Sequence, residues 1–116
     1  MTSSLNVHVK LKEAIKIHQN GDLDQAKIIY NEILNSFPGN FEVLHLIGVA
    51  EAQSKNFSLA VDYISKAIAV DGANPAFYNN RANALKELNK LSEANADYEK
   101  AIKLKPDYAE AFYNQG

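Results

Sequence analysis

The stretch "AFYNNRANALKELNKLSEANADYEKAIKLKPDYAEAFYNQG", residues 76–116, opens and closes with nearly the same words. "AFYNNRA" at Ala76–Ala82 returns as "AFYNQG" at Ala111–Gly116, so the chain begins to repeat itself and stops. Working outward, the punctuation is regular: "QNGD" at 19–22, "FPGN" at 37–40, "SKN" at 54–56, "GANP" at 72–75, "LNK" at 88–90 and "KPD" at 105–107. These breaks leave seven pieces. Apolar residues within them recur at three-and-four spacing, as in Ala60, Ile64, Ala67 and Ile68, which places them on one helical face. Strand-type alternation is scarce. Asn40, Asn56, Asn74 and Asp107 stand where helix N-caps belong, and Pro75 stands where a first-turn proline is tolerated. The expected fold class is all-α: helices joined by very short turns.

Shifting the sequence by 34 residues stacks Ala26 on Ala60 and Ala94, Tyr30 on Ile64 and Tyr98, and Ile33 on Ala67 and Ala101. The same shift stacks the small residues Ala14, Gly48, Ala82 and Gly116, and it pairs Pro38 with Pro106. Small residues at a fixed place in both helices of a pair let two backbones approach closely, while the large residue four places on fills the groove. The expected organisation is one domain over 1–116, with repeats at 7–40, 41–74 and 75–108 and a partial fourth at 109–116.

Composition sets the outer bounds. A chain of 116 residues holds one modest core. Twelve Lys and Arg against 14 Asp and Glu lack the overall positive charge of non-specific nucleic-acid binding. There is no Cys, which excludes disulfides and thiol chemistry. No apolar run approaches a membrane span, and the N-terminus carries no secretory pattern. A cytoplasmic location is the default expectation, with neither nucleic acid nor membrane as partner.

The period and its small, aromatic and proline positions resemble the tetratricopeptide repeat. The resemblance covers the chain after its first few residues. In style it is closest to bacterial arrays that precede O-linked N-acetylglucosamine transferase-like or other transferase domains, judged on "AIKIHQNGDLDQAKIIYNEIL…P…LHLIG". It implies a right-handed α-solenoid and a protein-interaction module. Lys10 and Glu13 stand where the family has large apolar residues, as an outward-facing first repeat requires, and Gly72 replaces a proline. Eight residues from Ala109 cannot hold a helix alone. Either the chain is a piece of a longer protein or this segment docks as a lid.

Chemistry is sparse. His8, His18 and His45 have no acidic company at ligand spacing, so no metal site is expected. No nucleotide loop or nucleophile motif is present, and neither a cofactor nor catalysis is expected. Asp22 with Asp24, and Asp97 with Glu99, read as solvated surface, and Lys100, Lys103 and Lys105 as complements to a helix dipole.

By resemblance, the first helix of each repeat lines a concave groove. The places this implies include Leu11, Ile15, His45, Leu46, Val49, Asn79, Asn80, Asn83, Lys86 and Asn114. Leu11, Ile15, Leu46 and Val49 have a competing reading as packing between helices. The asparagines suit the backbone of an extended peptide, because an amide both donates and accepts. Family members that clamp the acidic tails of chaperones use Lys, Asn and Arg where this chain has Leu11, Ile15, Leu46, Ala76 and Asn80, so that clamp is absent. Asn80 and Asn114 match the asparagine ladder of the transferase arrays, whereas Lys12 and Leu46 do not. The expected partner is a protein or peptide. Two other readings remain: a non-catalytic segment of a glycosyltransferase-like enzyme, or an array that self-associates at its C-terminal end through Phe112 and Tyr113.

Overall fold

The computed structural model describes residues 4–115; the side chains of Ser4, Leu5, Ala109, Phe112 and Gln115 lie outside the description. Seven helices follow one another: α1 (Ser4–Gln19), α2 (Leu23–Ser36), α3 (Phe41–Gln53), α4 (Phe57–Val70), α5 (Pro75–Glu87), α6 (Leu91–Leu104) and α7 (Ala109–Gln115). No strand occurs among the described residues. The molecule measures 46 × 25 × 21 Å.

Each helix packs on the next. In addition α3 touches α5, and α5 touches α7, while α2, α4 and α6 make no comparable approach to one another. A stack whose odd helices meet and whose even helices splay must curve with the odd helices inside. This curvature creates an inner face from α1, α3, α5 and α7.

The turn inside each pair is built three times in the same way. Backbone N–H groups of Asp22, Asn56 and Lys90 donate to the carbonyls of Ile17, Glu51 and Leu85 at 3.2, 2.8 and 2.9 Å. Gly21, Lys55 and Asn89 precede them in the left-handed region, with φ of 92°, 66° and 61°. This is a helix C-terminus closed by a left-handed residue. Glycine and asparagine tolerate that conformation; lysine adopts it because the turn demands it.

Asp22, Asn40 and Asn74 cap α2, α3 and α5 by accepting from the backbone N–H of Gln25, Val43 and Ala76 at 3.2, 3.2 and 3.0 Å. Asn56 occupies the cap position of α4, but its amide donates to Glu51 Oε1 at 2.9 Å instead. Asp107 is not a cap. Helix α7 starts at Ala109, so the cap place falls on Tyr108, whose carbonyl accepts from Ala111 N–H at 3.2 Å. The echoed words at either end of residues 76–116 are likewise one residue out of step with the structure. Helix α7 begins 34 residues after α5, so buried Phe77 corresponds to buried Ala111 rather than to Phe112.

The stacked small residues form the seams. Ala14, Ala26, Ala60, Ala82, Ala94 and Ala101 are buried, with Tyr30, Ile64 and Tyr98 packed beside them. Gly48 is the tightest contact: a Cβ there would lie 2.5 Å from Ile64 Cγ1. Gly72, in place of a proline, offers its carbonyl to the Tyr78 hydroxyl at 2.9 Å.

Asp97 departs from its expected surface role. It is only 7% exposed and grips Arg81 through two bonds, Nε to Oδ2 at 2.7 Å and Nη2 to Oδ1 at 2.8 Å. Arg81 also donates to Ser65 Oγ at 3.1 Å, and the bond to Asp97 raises the guanidinium pKa further. Glu51 is likewise buried and takes Lys27 Nζ at 3.2 Å, tying α2 to α3. Asp24, by contrast, is exposed.

Candidate functional site

On the inner face, successive odd helices are tied by polar bonds between residues 35 apart. His18 of α1 meets Gln53 of α3 through Nε2 and Oε1, with the ring nitrogen donating. Asn80 of α5 donates from Nδ2 to His45 Nε2 of α3 at 2.9 Å. Asn114 of α7 donates from Nδ2 to Asn79 Oδ1 of α5 at 3.2 Å. The separation exceeds the 34-residue period by one because each bond joins one place of a first helix to a place one residue further along the next. These bonds fix the register of the inner helices.

Histidine roles follow from these partners. The Tyr30 hydroxyl donates to His18 Nδ1 at 2.8 Å, so His18 carries its proton on Nε2. His45 accepts at Nε2, and its ring lies 4.5 Å from that of Phe77, centroid to centroid. Burial lowers the His45 pKa to about 4, which keeps the ring neutral and able to accept. No group of three His, Cys, Asp or Glu among the described residues could hold a metal ion.

The residues singled out in the sequence divide sharply. Leu11 is buried in the first core cluster with Ala14, Ile29 and Tyr30, and is not presented to the inner face. Ile15 and Leu46 are half-buried against that same cluster. Asn79 has no exposed surface; its Oδ1 serves Asn114, and its Nδ2 has no hydrogen-bond partner among the described residues. Lys86 is exposed, with Nζ 3.2 Å from the Asn114 carbonyl. Tyr113 is 87% exposed, and Phe112 lies outside the described side chains.

Val49, Asn80 and Asn83 come together. With Ala52, Gln53 and Ile64 they enclose a cavity of about 180 Å³ on the inner face. Val49, Asn80 and Asn83 occupy places that the resemblance assigns to the groove, whereas Ile64 belongs to a second helix and joins the wall only in the folded chain. The signal was present in the stack Tyr30, Ile64, Tyr98, where the middle member alone lacks a ring. The Tyr98 hydroxyl donates to Asn83 Oδ1 at 2.5 Å, just as Tyr30 reaches His18.

Known proteins share this architecture. Residues 82–116 match the family described as TPR repeat. The Hsp70-Hsp90 organizing protein of Triticum aestivum is 39% identical over 69 residues, 60% of this chain and 12% of that protein. The chain thus spans about an eighth of the length of such curated relatives. The first TPR of Spaghetti (RPAP3), solved with an HSP90 peptide, superposes with a TM-score of 0.93 at 26% identity, covering 98% of this chain and 90% of that one. The O-GlcNAc transferase of Thermobaculum terrenum gives a TM-score of 0.93 at 25% identity, over 99% of this chain and 22% of the enzyme. With the repeat period, the buried seams and these likenesses in agreement, the chain has the fold of tetratricopeptide-repeat domains, and its residues 82–116 match the repeat family itself.

Proposed function

We propose that the chain is a protein-interaction module, a single tetratricopeptide domain with repeats at 7–40, 41–74 and 75–108, which holds a peptide segment of another protein along its inner face. The observation that carries this reading is the row of amides there. Asn80, Asn83 and Gln53 each spend one end of the amide on the scaffold, leaving Asn80 Oδ1, Asn83 Nδ2 and Gln53 Nε2 without a protein partner among the described residues. Unspent acceptors and donors side by side match the alternating N–H and C=O of a peptide backbone. The TPR neighbour solved with an HSP90 peptide supports a peptide ligand.

The ligand differs from an acidic chaperone tail. At the five places of that clamp, Leu11 is buried, Ile15 and Leu46 pack on the core, Ala76 carries no charge, and Asn80 is committed to His45. No reaction is assigned to the chain itself, since its strongest polar groups, Arg81 with Asp97 and Lys27 with Glu51, are spent on packing.

A second reading is favoured by the transferase superposition: the same inner face would present a substrate protein to a catalytic domain of a longer chain. Both readings place the ligand at one site. Substituting Asn83→Ala in the immobilised protein is expected to weaken retention of a bound partner by about 0.5–1.5 kcal/mol, read as the partner's Kd. Substituting the exposed Lys100 and Lys103 with Ala is expected to leave it unchanged. The reverse ranking would move the site off the inner face.

A further inference from the structure

We propose that the cavity at the middle pair receives one uncharged aliphatic side chain of an extended peptide, and so sets the specificity of the groove. This rests on the inner-face reading above. In the first pair, Tyr30 fills the space beside the inner helix and its hydroxyl bonds His18; in the third, Tyr98 does the same with Asn83. The middle pair changes every member of that arrangement together. Ile64 replaces the tyrosine, Ala52 stands at the place of His18, and Val49 at the place of Asn83. Ile64 also leans on Gly48, where the other pairs have Ala14 and Ala82.

The result is a recess with an apolar floor and an amide rim. Val49, Ala52 and Ile64 supply no charge and no hydrogen bond, so a charged or strongly polar side chain would lose its hydration there without compensation. Gln53, Asn80 and Asn83 stand around it with free donors and an acceptor. A helical ligand has its backbone groups already paired and could not use them, whereas an extended one can. Charge and hydrogen-bond complementarity therefore both select an extended segment with an aliphatic residue at the recess.

The test is selection of a displayed library of short random peptides on the full chain, followed by Kd measurements with synthetic copies. Selected peptides are expected to share Val, Leu, Ile or Met at one fixed position. Replacing that residue with Asp or Lys, or closing the recess with Ala52→Leu, is expected to weaken binding by about tenfold or more. Widening it with Val49→Ala is expected to shift the selected residue toward a larger one, a change that mere loss of folding cannot produce. Peptides weakened by Asn83→Ala but bound equally by Ala52→Leu would overturn the recess and leave the inner-face site standing. Peptides indifferent to Asn83→Ala and Ala52→Leu alike, or a library yielding no binder, would overturn both. Unliganded protein that sediments as a dimer, and as a monomer with Ala52→Leu, would assign the recess to a second copy and overturn the peptide.

Discussion

The middle and third helix pairs share one backbone plan and differ in what they place inside it. Where the third pair has Arg81 and Asp97, the middle pair has Ile47 and Tyr63; where the third has Asn83 and Tyr98, the middle has Val49 and Ile64. The third pair is therefore clasped by charge and closed on its inner side by a tyrosine hydroxyl. The middle pair is apolar at the same places and left open at a recess. The alanine seams are common to both. Backbone approach demands small residues at the seam, but the inner wall tolerates either solution, and so the wall is where a repeat acquires its own chemistry.

The contrast breaks most visibly at the charged clasp. Asp97→Ala would leave the Arg81 guanidinium without its main partner inside the third pair. A loss of about 3–5 kcal/mol in unfolding free energy is expected by denaturant titration, against almost none for the exposed Glu99→Ala. Equal, small losses would show that Asp97 behaves as surface after all.

A smaller effect separates the pairs by pH. Burial holds the folded His45 near a pKa of 4, against 6.5 for the free side chain. The unfolded chain therefore binds the extra proton between those values. The stability contributed by the neutral ring is complete above pH 6.5 and drains as pH falls toward 4, by up to about 3 kcal/mol. In His45→Gln that part of the pH dependence should vanish; parallel curves for the two proteins would exclude His45 as its source.

The most local comparison concerns Gly48. Alanine is at home in the first and third pairs at this place, yet Gly48→Ala puts a methyl into Ile64 and is expected to destabilise by about 1–3 kcal/mol. An unchanged melting temperature would mean that Ile64 moves aside freely and that the recess has no fixed shape.

Helices, turns and seams were legible because their causes are local or strictly periodic. Three-and-four spacing, caps at Asn40 and Asn74, and a 34-residue stack of small residues each leave a mark on the residues that need them. Asp97 departs from its expected surface role, and the two readings of Leu11 stayed open, because residue type indicates a preference for water or core, not the partner met across a helix pair. Asp97 is inside because Arg81 faces it 16 residues earlier, and Leu11 is inside because α2 covers it. Lys55 shows the same limit: its left-handed backbone comes from the turn it closes, not from any preference of lysine.

The amino-acid sequence by itself determined the helices, their breaks, the repeat and the small residues at which helices meet, since these follow from local backbone preference and a fixed period. Only the tertiary structure decided which groups on the inner face remain free. His18, His45 and Asn79 are tied to residues 35 positions away in the next repeat. Whether an amide is spent on the scaffold or offered to a ligand depends on how the pairs stack, and stacking brings together side chains that no spacing along the chain connects.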